Sequence, residues 1–174
     1  TGGGPYMPPP FNPPPSPSGL PALFTNKVDV VNFNNVVKGT YQDGTQNNAL
    51  ASDDIVIMPE NLAEAAEAGW IPNTFGGGAG NDQIFGKGMD DQLLGESGND
   101  TLTGEMGKDS LWGGTNDDFL YGGQDTDTLY GDSGKDSLYG GVENDYLSGG
   151  SDDDRLEGED GDDVINGDDG NDFA

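Results

Sequence analysis

A nine-residue register runs through residues 77–174 without insertion or deletion, and nothing else in the chain limits its fold so severely. Frames open at 77, 86, 95 and so on, every nine residues to 167. The first place of each frame is glycine: Gly77, Gly86, Gly95, Gly104, Gly113, Gly122, Gly131, Gly140, Gly149, Gly158 and Gly167. The sixth is aspartate: Asp82, Asp91, Asp100, Asp109, Asp118, Asp127, Asp136, Asp145, Asp154, Asp163 and Asp172. The eighth is Leu or Ile from Ile84 to Ile165, and only Ala174 departs. Such an aliphatic column argues against a solvated acidic tract, which has no reason to keep one apolar place in nine.

Each frame closes with an aliphatic residue between two others, and period-two alternation makes that a short strand with one inward side chain. The first six places carry glycine where the backbone turns tightly or takes positive φ. Two nines complete a coil of turn, strand, turn and strand, so each repeat lies directly beneath the second one after it.

Composition then poses a problem. Only 31% of residues are hydrophobic, against nearly half in an ordinary domain. Thirty-three acidic residues face six basic ones, a net charge of −27. Burial of apolar surface is too small to offset the ordering entropy of such a chain. Stacked turns would also bring the aspartate columns to about 4.8 Å spacing, where they repel strongly. A cation removes both difficulties. The donors are hard oxygens, carboxylate and turn carbonyl, and the chain has no His or Cys. That set suits calcium, which takes six to eight oxygens, better than magnesium with its strict octahedral shell. Residues 77–174 hold 26 acidic and four basic residues, a net −22. Eleven turns, each paired with the second one above, make nine interior sites, and nine divalent ions nearly balance that charge. The expected cofactor is therefore Ca2+, nine or more ions per chain, held by the eleven aspartates and by main chain of the turns that the eleven first-place glycines open.

Two frames show the pattern well: Gly77-Gly78-Ala79-Gly80-Asn81-Asp82-Gln83-Ile84-Phe85 and Gly140-Gly141-Val142-Glu143-Asn144-Asp145-Tyr146-Leu147-Ser148. They resemble the repeats-in-toxin (RTX, hemolysin-type) calcium-binding nonapeptide. The resemblance implies an all-β fold, a right-handed parallel β-roll (β-solenoid) of eleven repeats, with turn aspartates and turn carbonyls as ligands. It also implies calcium-dependent folding and bacterial type I secretion. Eleven residues depart from the pattern. Lys87, Glu96, Glu105, Asp132, Glu159 and Asp168 replace the second glycine, and Met89, Asn116, Asp125, Glu143 and Asp152 replace the fourth. Weaker turns or altered geometry are expected there.

In front of the array lie two further zones. Residues 1–18 hold most of the eleven prolines and read as an extended polyproline II arm, either a linker or a segment docked on aromatics. Residues 19–76 read as a small mixed head that caps the array. Val28–Phe33 and Asp54–Ile57 are β-prone. Residues 59–68 read as a short helix, with Pro59 in its first turn and Gly69 after it. Leu62, Ala65, Ala66 and Trp70 fall at helical spacing, a packing stripe over the first coil. The adjacent Asp53 and Asp54 open a strand and are not expected to catalyse.

Places seven and nine should face outward. Trp112, Phe119, Tyr121, Tyr130, Tyr139 and Tyr146 then cluster on the two walls, as ladder stacking or as a contact surface. Two features bear on the extent of the chain: it opens on Thr1, which reads as a processed or excised form, and its register runs to Ala174 without a polar cap. The reading that follows is an extracellular calcium-binding structural protein, not an enzyme by its lack of His and Cys, self-associating head to tail into a fibre or surface layer. The alternative is the calcium-folding and secretion module of a larger RTX exoprotein. The acidic charge disfavours nucleic acid, and no apolar run is long enough for a membrane span.

Overall fold

The computed structural model describes residues 30–32 by backbone alone, and residues 54–58 and 74–174 with their side chains. The polyproline arm and the helix expected over 59–68 lie outside these residues. Among the described residues every regular element is a strand.

The described residues form thirteen strands in sequence order. They are β1 (Val30–Asn32), β2 (Ile55–Ile57), β3 (Thr74–Ala79), β4 (Gln83–Gly88), β5 (Gln92–Ser97), β6 (Thr101–Met106) and β7 (Ser110–Thr115). After them come β8 (Phe119–Gln124), β9 (Thr128–Ser133), β10 (Ser137–Val142), β11 (Tyr146–Ser151), β12 (Arg155–Asp160) and β13 (Val164–Asp169). From β3 onward consecutive strands alternate between two sheets, and each pairs in parallel with the strand two places on. One sheet runs β1-β2-β4-β6-β8-β10-β12 and the other β13-β11-β9-β7-β5-β3. Within the repeats the register is always eighteen residues, as in Leu102 opposite Leu120 and Leu120 opposite Leu138. Two nonapeptides therefore make one coil of a parallel β-solenoid of about five turns.

The core is a single file of side chains between the sheets. Ile84, Leu93, Leu102, Leu111, Leu120, Leu129, Leu138, Leu147 and Leu156 are completely buried, one from each successive strand. Ile165 on the last strand is 37% exposed. Each leucine touches its counterparts above and below and the facing wall, so a truncation cannot be filled from the side. Leu120→Ala should cost about 2–5 kcal/mol, read from the melting of the calcium-loaded protein.

Two features differ from the reading of the repeats alone. The strands are six residues long, because places seven to nine continue into places one to three of the next frame. Alternation then sends both the aliphatic residue and the following glycine inward, as the buried places of β9 (Thr128–Ser133) show at Leu129 and Gly131. The ladder also begins before Gly77. Ile55, Val56 and Ile57 pair with Gln83, Ile84 and Phe85, and Thr74, Phe75 and Gly76 with Gln92, Leu93 and Leu94. Val56 and Phe75 thus extend the buried file.

Backbone conformation accounts for the eleven departures from the glycine pattern. Lys87, Glu96, Glu105, Asp132, Glu159 and Asp168, with Met89, Asn116, Asp125, Glu143 and Asp152, are the non-glycine residues of positive φ. The chain keeps the same path whether or not glycine is present, and each substitution is strained by an amount on the order of 1 kcal/mol. Met89, at φ 123°, lies beyond the small left-handed region open to side chains. Met89→Gly should therefore raise stability by about 1 kcal/mol, measured by denaturant unfolding in saturating calcium.

Candidate metal centre

Each repeat aspartate follows a turn and precedes a strand, and the stacking of coils gathers them into two columns. Asp82, Asp100, Asp118, Asp136, Asp154 and Asp172 lie eighteen residues apart on one edge, and Asp91, Asp109, Asp127, Asp145 and Asp163 on the other. All from Asp82 to Asp154 are buried, at most 3% exposed. Asp163 and Asp172 are half-buried.

Asp109 shows how the groups are used. Its backbone N–H donates to Asp127 Oδ1 at 2.8 Å, and its carbonyl accepts from Thr128 N–H at 2.9 Å. Its own Oδ1 accepts from Asp91 N–H at 2.8 Å. The same reach from one coil to the one before it recurs from Asp54 N–H on Asp82 Oδ1 to Asp154 N–H on Asp172 Oδ1. One carboxylate oxygen is thereby spent on fixing the stack. The other, Oδ2, is buried without a hydrogen-bond partner in Asp109, Asp118, Asp127, Asp136, Asp145 and Asp154, and in Asp91 neither oxygen has a partner among the described residues.

A repeated orphan of this kind is costly. Burial pushes these carboxyls far above the usual carboxylate value, and neighbouring aspartates push them further. Asp91, Asp118 and Asp127 rise to about 8, Asp109 and Asp136 to about 7, and Asp145 and Asp154 to about 6. The N–H donated from the preceding coil opposes the rise in all but Asp91. At neutral pH the protein interior thus asks these groups either to keep a proton or to gain a cation.

The first-place glycines stand where these oxygens converge. A Cβ added to Gly131 would lie 2.5 Å from Asp136 Oδ2 and 2.5 Å from the carbonyl oxygen of Gly149, one coil further on. Gly77, Gly86, Gly95, Gly104, Gly113, Gly122, Gly140 and Gly149 each meet the equivalent carboxylate and carbonyl. At Gly158 and Gly167 the nearest atoms belong to Asp163 and Asp172 alone. Position one is therefore glycine for want of space; none of these residues has positive φ.

Carboxylate oxygens without partners, main-chain carbonyls and no sulfur or nitrogen donor form a set that fits a hard cation. Among the described residues no three acidic side chains converge on one point, so an ion here needs main-chain oxygens beside the aspartates. A family model for the RTX calcium-binding nonapeptide repeat (4 copies) matches residues 76–111, 85–120, 103–138, 112–147 and 139–174. The chain belongs to the RTX calcium-binding repeat family. RTX repeats bind calcium, and the two columns of buried aspartate are where this β-roll has chemistry to hold it. No curated protein and no solved structure matches the chain.

One RTX-like position escaped the register. Asp54 is 1% exposed, precedes a strand, and donates its N–H to Asp82 Oδ1 at 2.7 Å as the repeat aspartates do. Its signal was the fragment Asp54-Ile55-Val56-Ile57, which repeats the aspartate-x-aliphatic-x end of a nonapeptide without the glycines in front.

The outer walls carry stacked aromatics. Trp112 and Tyr130 are 5.8 Å apart between ring centres and nearly parallel, and Tyr130 and Tyr146 are 5.8 Å apart. Phe119 and Tyr139 approach to 5.3 Å on the opposite sheet. Lys87 pairs with Glu105 at 2.6 Å, Lys135 with Asp153 at 2.9 Å, and Arg155 with Glu157. Lys135 also holds the Asp153 carboxyl low, at about 2. No helix among the described residues is long and apolar enough to cross a membrane.

Proposed function

We propose that this RTX chain is a calcium-folded structural element of an exported bacterial protein, without catalytic activity of its own. The observation that carries the reading is the repeated buried Oδ2 without a partner. Nine stacked pairs of repeat turns give room for about nine ions, each held by turn aspartates and turn main chain. Where calcium is scarce the charge on the columns keeps the segment unfolded and threadable; in a calcium-rich exterior ion binding becomes folding free energy. Family membership supports type I secretion as the route. The absence of His and Cys from the chain supports a non-enzymatic role. Limited proteolysis tests this directly. In millimolar calcium a fragment spanning residues 77–174 should resist cleavage, and in chelator it should be cut throughout; equal resistance in both would defeat the proposal.

Head-to-tail assembly into a fibre or surface layer is the finer reading. It is favoured by Val164, Ile165 and Phe173, which are 58%, 37% and 64% exposed at the last coil. The first coil of a second copy would cover them, as would further chain in a larger RTX exoprotein. Light scattering and electron microscopy in calcium separate the two, since only assembly gives particles that lengthen with concentration.

A further inference from the structure

We infer that the residue before each repeat aspartate divides the turn columns into clamped pairs, and that these clamps preorganise the calcium turns. The inference rests on the calcium reading above and concerns which turns are ready for the ion.

The fifth place of the nonapeptide follows no rule in the sequence, yet its side chains make a second set of bonds between coils. Asn99 N–H donates to Asn81 Oδ1 at 2.8 Å, Lys135 N–H to Asp117 Oδ1 at 2.9 Å, and Asn171 N–H to Asp153 Oδ1 at 3.1 Å. On the other edge Lys108 N–H donates to Asp90 Oδ1 at 3.0 Å, and Asp162 N–H to Asn144 Oδ1 at 2.9 Å. All five span eighteen residues, and each acceptor belongs to the earlier coil.

The direction matters. At place six the side chain of the later coil reaches back to the earlier N–H, as Asp136 Oδ1 does to Asp118 N–H at 2.8 Å. At place five the side chain of the earlier coil reaches forward, as Asp117 does to Lys135. Adjacent residues thus tie the same two turns from opposite sides, which fixes their separation and their twist together. On the first edge the clamps close every second step. The intervening steps lack this bond. There Gly98 N–H reaches Thr115 O at 3.2 Å and Gly134 N–H reaches Ser151 O at 3.3 Å, against 3.0 Å for Gly80 N–H to Ser97 O in a clamped step, and Lys135 Nζ pairs with Asp153 Oδ2 at 2.9 Å. Thr126 interrupts the second edge, between the clamped pairs Asp90–Lys108 and Asn144–Asp162. The fifth-place side chains are exposed on the outer rim of the turns, so they act as positioning residues beside the buried aspartates.

The experiment uses the full chain and compares Asp117→Asn, which keeps the acceptor oxygen and loses the charge, with Asp117→Ala, which loses both. Calcium is titrated into chelated protein by calorimetry, and amide exchange at Lys135 is followed by NMR in saturating calcium. Lys135 N–H should exchange about three- to tenfold faster in Asp117→Ala and near the wild-type rate in Asp117→Asn. The calcium midpoint should rise for the alanine variant by a similar factor and much less for the asparagine variant. Asn144→Ala, which changes no charge, should expose Asp162 N–H in the same way. Asparagine and alanine variants behaving alike would overturn the clamp and leave calcium binding standing. A wild-type chain that takes up no calcium would overturn both.

Discussion

In a calcium-free buffer, lowering the pH from about 8 to about 4 should raise the strand content of this chain. The sign follows from the buried aspartates. Seven carboxyls are raised in the folded state to between about 6 and about 8, first by burial and then by their neighbours. A group whose proton is held more tightly when folded contributes stability below its unfolded value, near 4. That contribution is lost as the pH climbs through the folded values. The loss should begin just above the unfolded value, be complete near 6 for Asp145 and Asp154, and finish near 8 for Asp91, Asp118 and Asp127. Protons would then substitute in part for calcium, since either one neutralises the same buried oxygens. Circular dichroism at fixed ionic strength, with chelator throughout, records the effect. A calcium-free chain that gains strand as the pH rises over this window would show the sign to be wrong.

Gly131→Ala should damage the roll more than the loss of any exposed carboxylate. The new Cβ meets Asp136 Oδ2 and Gly149 O, each at 2.5 Å. Neither can retreat cheaply. Gly149 is backbone of the paired strand β11, and Asp136 Oδ1 is bonded to Asp118 N–H at 2.8 Å. A methyl group here therefore wedges two coils apart and also pushes aside the carboxylate oxygen offered to the ion. Overpacking of this kind costs about 1–3 kcal/mol or more. With displacement of the ligand added, the calcium midpoint for folding should rise at least about tenfold, equivalent to about 1.4 kcal/mol. Thr126→Ala, an exposed change in the neighbouring turn, should stay within about 0.5 kcal/mol of the parent. Calcium titrations of the two variants side by side check the contrast, and a Gly131→Ala protein that folds at the parent's calcium concentration would refute the crowding.

Much of this architecture is legible in the sequence because one physical rule is written many times over. The aliphatic eighth place gives the buried file from Ile84 to Leu156, and the unbroken spacing of nine gives the eighteen-residue coil. The aspartate at place six marks the columns for the same reason. The glycine at place one is less transparent, since composition alone cannot separate a residue that needs positive φ from one that needs room. Glycines elsewhere in the frame do the former; Gly131 does the latter. The early rungs at Val56 and Phe75 were hidden because the nine-residue frames that hold them at place eight open on Ala49 and Ala68, where a repeat opens on glycine, and a buried rung requires only an apolar side chain and a compatible register. The fifth-place clamps were invisible for a different cause. Asn, Asp, Lys and Thr all occur there, and their roles depend on which coil each residue faces.

The claim beneath all of this is that divalent ions hold the stacked turns together, as apolar burial does in other domains. Circular dichroism and thermal melting of the 174-residue chain, stripped by chelator at neutral pH and then titrated with calcium, measure it most directly. Strand signal should be small at the start, emerge cooperatively as calcium is added, and vanish again with excess chelator. A stripped chain with the same spectrum and melting temperature as the calcium-loaded one would contradict it.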